Sequence, residues 1–405
     1  MANPATAIFR QIKYKAETTY GSIPSPLTGS QALRRVEFSP DLTKDTYQSN
    51  ELRVDQQVAD FRHGARRAGG TLRGELSPKA YADFFAALLR KDFVATTPAA
   101  GVGITVSGTG APYTVTRSAG SYLADGFKVG DVIRLSVGSL NAANVNKNLV
   151  ISALTATAAT VYPLNGQAMF AEGPVTGCTI TAQGKRSWIP ATGHTDKSFS
   201  IESWFADLGK SEMYTGMKPT KVDLALPSTG MATADFTFAG QNMTPSATEQ
   251  FTSPTAAPTF GVSAAVNGIL LVGGVKQVAI RDLSISIDGT FGGNPIVGSD
   301  IITFAFPGRI VVTGQFTAYL DSVTLRDAFI NETALGLSAI FSSDNSATSD
   351  FVGFTLPRIK LGSATKDDAQ DGITQTFSFQ ALLNGSGGPG TDSEATTIVI
   401  QDSQA

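Results

Sequence analysis

Gly70-Thr-Leu-Arg-Gly-Glu-Leu76, running straight into Ser77-Pro-Lys-Ala-Tyr-Ala-Asp-Phe-Phe-Ala-Ala-Leu-Leu89, decides how the chain is read. The first segment alternates apolar and polar residues at the strand period of two, which puts Leu72 and Leu76 on one face and Arg73 and Glu75 on the other. The second changes to helical spacing, with Tyr81, Phe84, Phe85, Leu88 and Leu89 on one stripe. Ser77 as N-cap and Pro78 at the first helical position predict a helix over 78–89 lying across a sheet. The same alternation recurs in Lys221 to Leu226, Ala234 to Phe238, Asp282 to Asp288, Gln315 to Tyr319 and Thr374 to Phe379. Each is a strand with one buried and one polar face.

The opening segment has an echo. Gly70, Leu76, Asp83 and Phe85 match Gly314, Leu320, Asp327 and Phe329 at 314 − 70 = 244, and Gly64 with Gly308 and Val36 with Ile280 keep that offset. Gly216, Lys221, Val222 and Leu224 match Gly353, Arg358, Ile359 and Leu361 at 353 − 216 = 137, and Phe236 and Phe238 match Phe377 and Phe379 at 141. The chain therefore reads as two copies of one strand, strand, helix, strand, strand module. The drop in offset, 244 − 137 = 107, implies an insertion in the first copy. Residues 99–186, rich in Gly, Thr, Ala and Val with turn signals at Asp125-Gly126 and Asn165-Gly166, read as a small all-β domain spliced into a loop. It carries three acids against six bases, the opposite sign to the whole. The division expected is 1–98 with 187–260 as module one, 99–186 as the insert, and 261–405 as module two with a C-terminal arm. Gly385 to Gly390 reads as a flexible spacer before a terminal strand, Thr396 to Ile400.

Composition agrees with a mainly β fold with few helices. Of 405 residues, 42% are hydrophobic and only 16% charged, and 41 Gly with 19 Pro demand frequent chain reversals. A net charge of −3 gives no bulk attraction to nucleic acid or to an anionic membrane. Cys178 alone excludes an intrachain disulfide or a multi-cysteine metal site. Arg10, Lys13 and Lys15 interrupt any secretory apolar run, so the chain is expected in the cytoplasm at birth, and Val262 to Val275 is too short and glycine-rich for a membrane helix.

Residues 39–68 form a long projecting loop or hairpin arm with five acids and five bases, among them Asp45, Arg53, Asp55, Asp60, Arg62 and Arg66, interleaved with Leu42, Tyr47, Leu52, Val54, Val58 and Phe61. Balanced charge with apolar residues between is the pattern of a docking element. Catalytic signals are missing. Only His63 and His194 exist, no phosphate-binding glycine loop or nucleophile elbow occurs, and Trp188 and Trp204 read as packing anchors. Asp367, Asp368 and Asp371 form an acidic turn without calcium-loop spacing. The reading is a non-enzymatic, assembling structural protein with no cofactor.

At the arm the sequence becomes recognisable. Leu42-Thr-Lys-Asp-Thr-Tyr-Gln-Ser-Asn-Glu-Leu-Arg53, then Asp55-Gln-Gln-Val-Ala-Asp-Phe-Arg-His-Gly64, with Glu17 to Gly21 and Phe354 to Arg358, resembles the tail tube proteins of long-tailed, non-contractile bacteriophages. The insert, through Asp125-Gly-Phe-Lys-Val-Gly-Asp-Val-Ile133, resembles small β-barrel decorations carried by some of them. The resemblance implies a virion protein, assembled in the host cytoplasm, whose rings stack around a tape-measure protein between tail terminator and distal tail proteins and conduct DNA without binding it. It also implies sixfold rings of single modules, so two fused modules should form homotrimeric, pseudo-hexameric rings. The polar strand faces carrying Glu75, Asp235, Thr237, Gln315, Thr317, Thr376, Ser378 and Gln380 would then line the lumen, with Arg73 beside Glu75. Two alternatives stand beside this reading: a secreted or cell-surface carbohydrate-binding β-sandwich, and a tail-terminator or baseplate ring that does not polymerise.

Overall fold

In a computed structural model, residues 4–264, 266–277, 280–320, 324–367 and 372–405 are described. The chain is mainly β, 48% strand and 5% helix. Its centre is one antiparallel sheet in the order Glu37–Gln48, Phe61–Glu75, Thr233–Gly240, Lys210–Leu226, Ile280–Asp288, Val311–Tyr319, Thr374–Ala381 and Phe351–Asp367. The first four strands and the last four repeat one arrangement. They meet at an internal seam where Val222 opposes Ile287 and Leu224 opposes Ile285. The outward edges of Glu37–Gln48 and of the 360–367 stretch pair with nothing among the described residues.

Strand pairing corrects the repeat arithmetic. Gly70 opposes Phe238 and Gly314 opposes Phe379, which keeps the offsets 244 and 141. Pro219 also opposes Phe238 and Leu361 opposes Phe379, so the long strands align at 361 − 219 = 142 and not at 137. Phe38 opposes Leu72 and Leu283 opposes Phe316, which makes the first strands align at 283 − 38 = 245. The identities at 137 were a slide of five residues, an odd number that would exchange the buried and polar faces. Both long strands carry a bulge at the aligned place, between Pro219 and Lys221 and between Leu361 and Ser363. The matched glycines have a steric reason: a Cβ on Gly70 would sit 2.4 Å from the Ser39 carbonyl oxygen, and one on Gly314 2.3 Å from that of Ser284.

Beyond its bulge each long strand enters a second, outer group of strands. In the first module these are Arg10–Ala16, Phe199–Phe205 and Asn242–Ser246; in the second they are Gly268–Val272, Leu335–Ser342 and Val399–Asp402. One hydrophobic core runs through both modules, from Tyr14 and Phe199 to Phe377 and Ile400. Helix α1, Ala82–Leu89, lies inside it, with Phe84 5.2 Å from the Phe238 ring of the inner sheet and 5.1 Å from Phe199 of the outer strands. It begins four residues later than the capping pattern predicts, because Lys79 takes a left-handed φ of 67° that the first helical turn cannot hold. Helix α2, Thr324–Ile330, occupies the matching place in the second module.

Strands Ala99–Ser107, Tyr113–Arg117, Val132–Ser136, Leu149–Leu154, Ala158–Pro163 and Glu172–Ala182 close a separate barrel with its own core, which includes the free thiol of Cys178. The next strand, Lys185–Trp188, leaves the barrel and pairs with Val399–Asp402. The barrel is docked on the second module. Val132, Val150, Tyr162 and Leu164 pack against Ile269, Leu271, Ile340 and Phe351. The Arg186 guanidinium donates to both Asp131 oxygens at 3.0 and 3.1 Å and pairs with Glu394 at 3.1 Å, all three being buried. Burial pushes the Asp131 carboxyl up from its ordinary range, and Arg186 opposes that shift. Lys128 Nζ donates to the carbonyls of Gly388 (2.6 Å) and Thr391 (2.7 Å), so the glycine-rich stretch read as a spacer is a docked loop.

Candidate functional site

Two surfaces carry the polar residues that the sequence singles out. The first is the solvent face of the eight-stranded sheet. One row of directly opposed residues crosses every strand: Glu37, Arg73, Asp235, Asp223, Ser286, Thr313, Gln380 and Lys360. Glu75, Thr237, Gln315, Thr317, Thr376 and Ser378 lie on that same face, in register with Thr233, Lys221, Ser284, Thr376, Thr365 and Ser363 respectively. All eight strand residues named from alternation are thus brought to one surface. Their alternates Leu72, Phe236, Phe316, Phe377 and Phe379 are buried behind it. Hydroxyls link neighbouring strands, Thr317 to Thr376 at 3.0 Å and Ser363 to Ser378 at 2.7 Å.

The face is acidic. Glu37, Asp41, Glu75, Asp223, Asp235, Asp282, Asp288 and Asp367 stand against Arg67, Arg73, Lys221 and Lys360. Asp235 sits directly opposite Asp223, and its carboxyl is raised above the usual range by partial burial, with Asp223 and Glu37 adding to the rise and Arg73 resisting it. Arg73 approaches Asp235 only to 3.6 Å, whereas Lys221 pairs with Asp223 at 2.8 Å. Each acid of the pair therefore has a local cation, and both cations are on the face itself. These ion pairs are half exposed, so they set the potential of the surface more than they hold the fold.

The second surface is the arm. Glu37–Gln48 and Phe61–Glu75 form one long hairpin whose far end projects beyond the sheet. Four of its five bases already have an acid beside them: Arg53 with Asp55 at 2.8 Å, Arg62 with Asp60 at 2.7 Å, Arg67 with Asp45 at 3.2 Å, and Arg66 with Asp300, outside the arm, at 2.9 Å. The sequence offers Arg53, Asp55, Asp60, Arg62 and Arg66 as partners for another molecule; in the folded chain Arg53 meets Asp55 and Arg62 meets Asp60 near the hairpin's tip, and Arg66 meets Asp300. The arm also leaves apolar side chains bare, with Leu52 and Val54 fully exposed and Tyr47, Val58 and Phe61 more than half exposed.

A shorter counterpart, which the sequence reading missed, joins Ile280–Asp288 to Val311–Tyr319. It contains the pair Phe291–Gly292 with Phe306–Pro307 and exposes Val297, Phe304 and Phe306. It leans back over the first module, where the Arg66 amide donates to the Asp300 carbonyl and Gln241 Nε2 to the Ile302 carbonyl. The available signal was the 244 offset itself, which aligns the two connections.

Other candidates dissolve into packing. Lys91 and Arg186 both sit over the Trp188 ring, His63 stacks edge-on against Phe61, and Asp368 and Asp371 of the acidic turn lie outside the described residues. Among the described residues no group of three or more His, Cys, Asp or Glu is placed to hold a metal ion, and no helix is long and apolar enough to cross a membrane.

No curated protein matches the chain. A family model described as phage tail tube protein matches residues 10–381, which takes in the arm, the docked barrel and all eight strands of the sheet. The chain therefore belongs to the phage tail tube protein family, whose members are components of the virion tail.

Proposed function

We propose that the chain is the structural subunit of a tail tube: three copies close a pseudo-sixfold ring, rings stack around a tape-measure protein, and the acidic face lines the bore that conducts DNA at ejection. The observation that carries this reading is the eight-stranded sheet built of two like halves, open at both edges and acidic over one whole face. Twenty-four strands, eight from each of three copies, spaced about 4.8 Å and tilted about 40°, close a barrel roughly 48 Å across between backbones. Side chains of about 5 Å on each wall leave roughly 38 Å, while two copies would leave only roughly 22 Å. Three copies admit a duplex with a layer of water; two do not.

The charge of the face suits transit. Duplex DNA carries about one negative charge per 1.7 Å, so a basic bore would bind it through counterion release. A face where acids outnumber bases, each base beside an acid, repels weakly and lets the duplex slide. The apolar tips of the arms supply area for ring-to-ring contact, and their internally matched charges keep those tips from pairing indiscriminately. Assembly in the host cytoplasm, between a terminator and the distal tail proteins, completes the role as a structural rather than a catalytic part.

Electron microscopy of the purified chain under assembly conditions tests this. Hollow tubes whose rings average with threefold symmetry are expected. Six copies per ring, or single rings that never stack, would overturn the reading.

A further inference from the structure

The internal seam offers a register for the two open edges, and the residues at the seam and at those edges are not alike. At the internal seam Lys221 opposes Asp288, Val222 opposes Ile287, Asp223 opposes Ser286 and Leu224 opposes Ile285. The long strand of module one maps onto that of module two by adding 142, and the first strand of module two maps onto that of module one by subtracting 245. Carried to the two open edges, those offsets pair Ser363 with Thr43, Ala364 with Leu42, Thr365 with Asp41 and Lys366 with Pro40 of a second copy. The faces agree, which a wrong register would not give. Phe38, Pro40 and Leu42 lie on the core side of their strand, as do Ala364 and Lys366 on theirs, because Lys366 opposes the buried Gln375.

The chemistry at those positions differs. Where the internal seam has Leu224 against Ile285, the outer edges have Lys366 against Pro40. A lysine pointing to the core side and a proline without an N–H are both devices that keep a sheet edge from pairing freely. We infer that the open edge 363–367 of one copy joins the edge 39–43 of the next in the register of the internal seam, and that Lys366 and Pro40 hold this join weaker than the seam inside the chain. Helix α2 fits the same contact. Its Phe329 and Ile330 are partly bare, while the matching Phe85 and Ala86 of α1 are buried at the internal seam, Phe85 beside Phe354 of the following module.

The inference rests on the ring reading, and disulfide trapping separates the two. Directly opposed residues in an antiparallel pair stand about 4.5–5.5 Å apart and two-residue-slipped ones about 7–8 Å, beyond the usual reach of a disulfide. Thr43→Cys with Ser363→Cys, oxidised during assembly, should give covalent dimers and closed trimers on a non-reducing gel, and Asp41→Cys with Ser363→Cys should not. Tubes that form normally but cross-link only in the slipped pair, or in neither, would overturn the register and leave the ring reading standing. Failure of the unaltered chain to form any ring would remove both. Lys366→Leu should lower the concentration at which assembly begins by at least about tenfold, since an aliphatic side chain replaces a charge at a closing apolar row. An unchanged or higher threshold would show that Lys366 does not weaken the join.

Discussion

Helices α1 and α2 occupy matching places in two like modules, yet one is sealed and the other half open. Every residue from Phe84 to Leu89 is buried, whereas in α2 only Ala328 is, and Ile330 is 64% exposed. The sequences account for part of this: at the 244 offset Phe85 and Phe329 match, but Asn331, Glu332 and Thr333 stand where α1 has Ala87, Leu88 and Leu89. Neighbours add to it. Module two follows α1 in the same chain and covers it, with the strand Phe351–Asp367 supplying Phe354 and Asp402 accepting from the Lys79 amide at 2.7 Å just before the helix. Among the described residues no further module stands beside α2. The outer strands show the converse asymmetry, because the docked barrel covers those of module two through Ile269, Leu271, Ile340 and Phe351. A half-buried element in a repeated protein thus marks where the next repeat belongs.

The strongest way to break the comparison is to excise the barrel, joining 98 to 183 with a short Gly/Ser linker. Baring those four side chains should cost on the order of 5 kcal/mol, so calorimetry of the unassembled protein should show a clearly lower melting temperature. An unchanged melt would mean that module two is complete without its cover. Next in size is the helix pair itself. Phe85→Ala should destabilise the unassembled chain by about 3–5 kcal/mol and Phe329→Ala by about 1 kcal/mol or less, measured by denaturant unfolding. Equal losses would show that α2 is as complete as α1.

A further effect is titratable. Burial, with Asp350 adding to it, pushes the Asp402 carboxyl up to about 6 from an ordinary 3.8. The folded chain therefore holds a proton that the unfolded chain releases between those values. Stability from this group is greatest below pH 4, falls as pH rises through about 6, and is level above, an amplitude of about 3 kcal/mol. In Asp402→Asn that slope between pH 4 and 6 should vanish; persistence of the full slope would assign it to another group.

The alternation in Gly70 to Leu76 and in the five related segments was legible because each strand buries one face only, so the pattern of two survives in the sequence. The polar surface followed from it. The repeat was legible at Gly70 and Gly314, where a neighbouring strand leaves no room for a Cβ, and misleading at Lys221 and Arg358, where no such constraint fixes the match. The arm's ion pairs were hidden for a different reason: Arg53 and Asp55 are close in sequence whether they face each other or a partner, and only the hairpin's geometry decides. The docking of the barrel left no periodic signal at all, since Val132 and Phe351 belong to segments that each look self-sufficient.

The internal seam also has a mechanical meaning. A tube wall under internal pressure is loaded around its circumference, and that load pulls adjacent strands apart at the joints between modules. In the proposed ring of three copies there would be six such joints, and three of them would be bridged by the covalent chain between Leu226 and Ile280, which keeps the two modules tethered even where the strands part. Fusing two modules would then halve the number of places where the proposed hoop can come fully apart, and leave complete rupture to the proposed joins between Lys366 and Pro40.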